Sequence, residues 1–183
     1  YYKVAAVDSS GTGTLSSVAS AILDQNIRAS KTFNGHTYAL TDNPDNWSQA
    51  KVNATAFGGY LTTINTKAEN TFLTDEFWIS EVGLWHGAND KSTEDTWVWD
   101  NGTTSGDNGL TDDLCGTKSN CNDSDAKWAD NTDKWCNTNP NDGGNNNNQD
   151  CGVIWKKNWS NTYGCWDDSQ CSNNKKSIIE FDL

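Results

Sequence analysis

Long apolar runs and basic residues are scarce in this sequence of 183 residues. No stretch approaches the roughly 18 consecutive apolar residues that a membrane-spanning helix requires, so we expect no membrane insertion. Lys and Arg number 13 against 25 Asp and Glu, which gives a formal charge of -12. Such a charge repels phosphate backbones and anionic lipid surfaces. We therefore expect neither nucleic acid nor a membrane surface as a partner.

Catalytic motifs are also missing from the sequence. It contains no Gly-x-Ser-x-Gly elbow, no His-Glu-x-x-His pair and no phosphate-binding loop. The two histidines, His36 and His86, lie in predicted strands, where a lone His is more often a hydrogen-bonded structural residue than a catalyst. We therefore expect a protein that is not an enzyme.

Cysteine pairs of the Cys-x-x-Cys type are absent too. The six cysteines all lie in one third of the chain, in a segment rich in Asn, Asp and Gly, and the two histidines are distant in sequence. This pattern favours disulfides over a zinc site. Six cysteines can pair in many ways, and the residues alone do not select among them. Disulfides persist in oxidising compartments, so we expect an extracellular or cell-surface protein.

The first 32 residues have the pattern of an N-terminal extension. A short strand-like run leads to residue 7, and small and apolar residues at 15–23 could form a helix. No signal peptide is recognisable, and Tyr1 stands where an initiator Met would. We therefore expect the chain to be a processed or excised piece of a larger protein.

Two amphipathic helices follow a predicted strand at 35–40. Asn43-Pro44 supplies an N-cap and a proline at the first helical position of the first helix, and Gly58-Gly59 ends it. Thr66 and Glu69 form a capping box at the start of the second helix. Further strands are predicted at 82–88, 96–99, 152–155, 163–166 and 177–181.

Polar motifs near the C-terminus occur in a recognisable order. They are Asn139-Pro140-Asn141, Gln149-Asp150-Cys151 and Trp166-Asp167-Asp168-Ser169-Gln170-Cys171, preceded by Leu84-Trp85-His86-Gly87-Ala88-Asn89-Asp90. With the strand and helices before them, these motifs resemble the C-type lectin-like domain over residues 33–183. The resemblance implies an α+β fold in which two helices pack on small antiparallel sheets, with a long calcium-binding loop region. The stretch 103–134, which has no periodicity, is an insertion in that domain.

The resemblance implies a Ca²⁺ site built from amide and carboxylate oxygens, the hard ligands that this ion prefers. The side-chain ligands would be Asn139, Asn141, Gln149, Asp167 and Asp168. Pro140 is expected to be cis, as in the family. Only two of the five ligands are carboxylates, so we expect weaker calcium binding than in sugar-binding members unless Asp142 or Asp150 contributes.

The resemblance also implies disulfide pairings. The expected pairs are Cys151 with Cys171, Cys136 with Cys165, and Cys115 with Cys121. The first is a family bridge, the second would clamp the calcium site and the third would close a small loop. Another family bridge is missing, because Ala54 and Ile179 occupy its two positions. We expect an apolar contact in its place.

The function that the resemblance implies is calcium-dependent carbohydrate binding. An ion with open coordination positions can bind two vicinal sugar hydroxyls, while neighbouring amides and carboxylates bond to the same hydroxyls. Because Asn141 keeps the final Asn of the family's mannose-type motif, we expect fucose- or mannose-type glycans, bound for adhesion by a larger surface protein such as a bacterial adhesin. The ligand contacts would be Asn139, Asn141, Gln149, Asp167, Trp159 and Tyr163. The alternative is a protein- or ice-binding domain in which calcium is structural.

Overall fold

The computed structural model describes residues 7–8, 11–12, 27–77, 83–94, 96–101, 135–136, 139–140, 148–155 and 164–182. Some predicted features lie outside the described residues. They are the helix at 15–23, the insertion at 103–134, Cys115, Cys121, Asn141, Asp142, Trp159 and Tyr163.

Short strands and two helices alternate along the described chain. In order they are β1 (Val7–Asp8), β2 (Gly11–Thr12), β3 (Ile27–Phe33), β4 (His36–Thr41), α1 (Trp47–Ala56), β5 (Tyr60–Leu61), α2 (Lys67–Glu76), β6 (Leu84–Asn89), β7 (Val98–Trp99), β8 (Cys151–Ile154), β9 (Trp166–Ser169) and β10 (Ile178–Asp182).

Two four-stranded antiparallel sheets carry the helices, and β1 pairs with β2 in a separate two-stranded sheet. The first sheet has the strand order β3-β4-β10-β5, and the second has the order β7-β6-β8-β9. In the first sheet β10 pairs with β4, so the last described strand lies beside one of the first. Residues 27–32, inside the predicted extension, belong to the edge strand β3 of that sheet. The predicted α+β fold, with two helices and small antiparallel sheets, is confirmed.

Helix α1 begins three residues later than predicted. Its N-cap is Asn46, whose side-chain oxygen accepts a hydrogen bond of 2.9 Å from the backbone N–H of Gln49. The expected cap at Asn43 is wrong because Asp45 is held extended by two backbone hydrogen bonds of 3.0 Å with Lys175. A helix cannot include a residue whose backbone is already paired in this way.

Helix α2 begins where the capping box predicts. The Thr66 hydroxyl accepts a hydrogen bond of 3.1 Å from the Glu69 N–H. The Glu69 carboxylate accepts in turn from the backbone N–H of Asn65 at 2.9 Å and from the Tyr38 hydroxyl at 2.7 Å. Burial raises the pKa of Glu69 even though these hydrogen bonds lower it. Neither described helix is long and apolar enough to cross a membrane.

Two hydrophobic clusters form the core of the described structure. One is rich in tryptophan, and its rings meet edge to face with centroids 4.8 to 5.8 Å apart at Trp97, Trp99, Trp135 and Trp166. The other cluster contains Ala54 and Ile179, both 0% exposed. These two residues therefore fill with apolar atoms the space where the resemblance places a bridge.

His86 is part of this core rather than of a reactive site. Its ring lies 5.0 Å from the Trp166 ring, and its Nδ1 accepts a hydrogen bond of 3.2 Å from the Ala88 N–H. Burial lowers the pKa of His86 to about 3, so the ring is neutral at pH 7. A neutral, enclosed imidazole fits the structural role expected from the sequence.

Candidate functional site

The segment before Asn139 is fastened to the start of β9. Trp135 forms a parallel bridge with Trp166, and the Cys136 N–H donates to the Trp166 carbonyl at 2.7 Å. A disulfide joins Cys136 to Cys165, and the Asn139 N–H donates to the Cys136 carbonyl at 3.0 Å. These restraints place the Asn139 side chain beside the first residues of β9.

Strand β9 carries the two adjacent carboxylates of the predicted site. It pairs with β8 so that Val153 lies opposite Asp167 and Gly152 opposite Asp168. Asp167 is half-buried, and Asp168 is 3% exposed. A second disulfide links β8 to the residues after β9, through Cys151 and Cys171. Both described disulfides are pairings that the resemblance predicts, and both hold this strand in place.

Asp167 is the residue on which the site's contacts converge. The Asn139 amide donates a hydrogen bond to Asp167 Oδ1, and the Trp155 indole N–H donates to Asp167 Oδ2 at 3.0 Å. The Asn139–Pro140 peptide bond is cis, as the resemblance predicts. The structure thus brings together Asn139 and Asp167, two predicted ligands that are 28 residues apart.

The electrostatics of the site favour a cation. Burial and the neighbouring charge of Asp168 raise the pKa of Asp167 to about 6, although the Trp155 hydrogen bond lowers it. Two adjacent carboxylates in a partly buried setting repel each other, and a positive ion between them would remove that cost. The donor set of carboxylate and amide oxygens therefore fits a hard divalent cation.

Sequence reasoning missed the role of two residues behind Asp167. Trp155 is not among the predicted site residues, yet its indole N–H donates to the Asp167 carboxylate and orients it. Lys175 places its Nζ 5.4 Å from the centroid of the Trp155 ring and 5.5 Å from that of Trp85. Burial lowers the pKa of Lys175, and the charge of Asp167 raises it. A buried lysine near three aromatic or acidic partners depends on tertiary packing, and no local motif signals it.

The other predicted site residues are less well defined by contacts. Gln149 is half-buried and lies two residues before β8. Asp150, the possible helper, accepts a backbone hydrogen bond of 3.1 Å from the Asp90 N–H. Asn141, Trp159 and Tyr163 lie outside the described residues. The part of the site that the structure describes is therefore Asn139 with the two carboxylates, and Gln149 near the same strands.

Solved structures with this arrangement of helices and sheets belong to one fold. The human scavenger receptor C-type lectin carbohydrate-recognition domain superposes with a TM-score of 0.62 at 21% identity, over 84% of this chain and 96% of that one. The chain has the C-type lectin-like fold. The same fold is shared by the cow CD23 domain solved in the presence of a GlcNAc2Man3 oligosaccharide, at a TM-score of 0.61 and 19% identity over 85% of this chain and 95% of that one. A calcium-independent type II antifreeze protein also shares it, with a TM-score of 0.59 and 19% identity over 85% of this chain and 95% of that one.

Curated relatives extend the likeness to sequence. The chain is 29% identical to lectin BRA-3 of Megabalanus rosa over 153 residues, which cover 82% of this chain and 74% of that protein. It is 27% identical to a perlucin-like protein of Mytilus galloprovincialis over 153 residues, covering 81% and 78%. No family model matches the chain.

Proposed function

We propose that this C-type lectin-like domain binds carbohydrate in a calcium-dependent manner. The observation that carries the proposal is the contact of Asn139 with Asp167 next to the buried Asp168. Oxygen donors from two distant segments meet there, with carboxylates whose mutual repulsion a cation would relieve.

The residues that would hold calcium have distinct tasks. The proposed ligands are Asn139, Asn141, Gln149, Asp167 and Asp168. Trp155 fixes the rotation of the Asp167 carboxylate by binding Oδ2, so that Oδ1 faces Asn139. When bound, Ca²⁺ would supply open coordination positions for two sugar hydroxyls, since it takes about six to eight oxygens. Amides and carboxylates around the ion would donate to and accept from those hydroxyls.

The sugars that we propose are of the fucose or mannose type. Asn139 and Asn141 both offer amide N–H donors, while Gln149 and Asp167 offer one amide and one carboxylate on the other side. Trp159 and Tyr163 would add a stacking face. Support comes from the name of BRA-3 as a lectin and from the cow CD23 domain, which was solved with a mannose-containing oligosaccharide.

We place this activity outside the cell, as adhesion by a module of a larger surface protein. The two described disulfides, Cys136–Cys165 and Cys151–Cys171, fit an oxidising compartment. The formal charge of -12 suits a calcium-rich medium, where bound cations offset the repulsion among acids.

A glycan array probed in calcium and again in EDTA tests the proposal. We expect spots with terminal fucose or mannose in calcium and none in EDTA. Asp167→Asn should abolish the signal, while Asp42→Asn, a matched loss of one exposed acid on the first sheet, should retain it. Blank arrays for the wild type in both media would refute carbohydrate binding.

Free monosaccharides separate this proposal from the protein- or ice-binding alternative. Under the proposed function, fucose or mannose raises the melting temperature of the calcium-loaded domain, because a ligand of the native state stabilises it. No rise with any monosaccharide, together with ice-growth inhibition or capture of a protein ligand, would favour the alternative. Calcium would then serve the fold alone.

A further inference from the structure

A second group of metal-ligating side chains lies on the first sheet. His36 and Asp182 are directly opposite each other in the antiparallel pairing of β4 with β10. Glu180 is two residues before Asp182, and side chains two apart on a strand share a face. The regular pairing of two strands therefore places one imidazole and two carboxylates on the same side of the sheet.

The ligating atoms of these three residues are close together. His36 Nδ1 lies 3.0 Å from Glu180 Oε1 and 3.1 Å from Asp182 Oδ1, and the three atoms are all within 4.8 Å of one another. His36 Nδ1 is buried. Its contacts with the described residues do not have the geometry of a hydrogen bond. A ring nitrogen and two carboxylate oxygens that lie this close together have the separations of ligands around one positive ion.

The carboxylates are held in place by groups behind them. Glu180 is 1% exposed, and its Oε2 accepts from the Thr63 N–H at 2.9 Å, the Thr63 hydroxyl at 3.2 Å and the Thr62 hydroxyl at 3.1 Å. Oε1 is thereby directed at His36. The Tyr60 hydroxyl donates to Asp182 Oδ1 at 2.9 Å. Such supporting hydrogen bonds orient metal ligands and strengthen binding.

The space beside His36 and Glu180 is large enough for an ion and its water. A cavity of about 70 Å³ is lined by His36, Glu180 and Glu69, among others. A water molecule takes up about 30 Å³ in the liquid, so an ion with a bound water fits. Glu69 is the second acidic residue in the wall of this cavity, beside Glu180, and a second carboxylate favours a cation further.

We propose that His36, Glu180 and Asp182 form a second metal site, for a divalent transition ion of the zinc type. Imidazole nitrogen suits zinc, copper and nickel, whereas calcium is bound by oxygen alone. One nitrogen and two carboxylate oxygens with room for water match the three protein ligands and open position of many zinc sites. The site lies on the first sheet, apart from the β8–β9 edge, and does not depend on the function proposed above.

Metal at this site would join β4 to β10 across the first sheet. An ion bound to the native state and not to the unfolded chain raises stability in proportion to its affinity and concentration. The proposed site therefore makes the first sheet respond to zinc, and the second to calcium.

Zinc titration of the full chain saturated with calcium tests the site. Isothermal calorimetry should show one equivalent of Zn²⁺ bound by the wild type, and Co²⁺ should give a visible absorption band of equal stoichiometry. His36→Gln and Asp182→Asn should each weaken zinc binding about tenfold or more, as losses at metal sites commonly do. Both residues are well exposed, so the variants should fold, which circular dichroism verifies.

Two controls make the outcome decisive. Asp42→Asn removes an exposed carboxylate that directly follows β4 and should leave zinc affinity unchanged. Asp167→Asn removes a proposed calcium ligand and should also leave it unchanged. The proposal is overturned if the wild type binds no zinc in calcium, if His36→Gln binds it as tightly as the wild type, or if zinc uptake depends on Asp167 instead.

Discussion

The two sheets of this domain bury acidic side chains in different ways. Glu180 lies in β10 of the first sheet, and its carboxylate accepts from the Thr63 N–H. Glu69 lies in α2 beside that sheet, and its carboxylate accepts from the Asn65 N–H and from the hydroxyl of Tyr38 in β4. On the second sheet, the side chains that bind Asp167 are an amide from a loop and an indole. Backbone donors cannot leave an acid once the fold has formed, whereas a side-chain amide can turn its oxygen toward an ion. The comparison teaches that the donor, rather than the acid, separates an architectural carboxylate, whose orientation is fixed, from one that can turn toward an ion.

The largest effect should come from removing the architectural acid. Glu180→Ala leaves the Thr63 N–H and two threonine hydroxyls without their acceptor, and buried donors of this kind are costly. We expect a loss of about 3 kcal/mol or more in the free energy of unfolding, measured by urea denaturation in EDTA. Asp42→Asn, a loss of an exposed acid, should stay within about 0.5 kcal/mol of the wild type. An equal, small change for both would break the comparison.

The opposite pattern is expected for the ligand acid. Asp167→Asn should leave stability in EDTA unchanged or slightly raised, because it removes a buried charge beside Asp168. In calcium the same variant should lose about tenfold or more in affinity, followed as the calcium concentration that gives half the rise in melting temperature. A variant that loses stability in EDTA but keeps calcium affinity would reverse the roles of the two regions.

A smaller effect is expected behind the ligand acid. Trp155→Phe keeps an aromatic ring near Lys175 but removes the indole N–H that donates to Asp167. Loss of an orienting hydrogen bond should weaken calcium binding about tenfold, with about 1 kcal/mol or less of stability lost in EDTA. The same calcium titration measures the first change, and urea denaturation the second. Calcium affinity equal to that of the wild type would show that the indole does not orient the carboxylate.

The smallest effect should appear as a pH dependence of stability that comes from Glu69 of α2, beside the first sheet. Burial raises the pKa of Glu69 above its unfolded value, so its contribution to stability is fully present below the unfolded pKa and declines as pH rises toward the folded pKa. Between about pH 4 and neutrality, the unfolding free energy of the wild type should therefore fall relative to that of Glu69→Gln as the pH rises. Urea denaturation across that range in EDTA checks the sign. A difference that is flat or grows with pH would contradict the raised pKa.

Local signals predicted much of this fold. The capping box at Thr66 and the glycine that ends α1, Gly58 with φ 88°, depend on residues within one turn, and the structure has both. The start of α1 was wrong because Asp45 pairs with Lys175, a residue far along the chain. Sequence patterns depend on residues that are neighbours along a helix or strand. They do not indicate that a backbone segment is hydrogen-bonded to a residue far along the chain.

At the site, too, the order of motifs along the chain could be predicted, whereas contacts between distant residues could not. The motifs around Asn139 and Asp167 identified the segments that meet, because their order along the chain resembles the C-type lectin-like domain. Two other features depend instead on strand register. They are the hydrogen bond from the Trp155 indole to Asp167 and the position of His36 opposite Asp182. Register is fixed by pairing across the sheet, and a shift of the register by one residue would turn each side chain to the opposite face.

Both described disulfides fasten the β8–β9 edge, while β4 and β10 of the first sheet are held to each other by hydrogen bonds and apolar packing. In a reducing environment only hydrogen bonds would hold the segment that carries Asn139 to β9, while the pairing of β4 with β10 involves no disulfide. Under the proposed function, recognition would therefore depend on the redox state of the surroundings more than the pairing of β4 with β10 does.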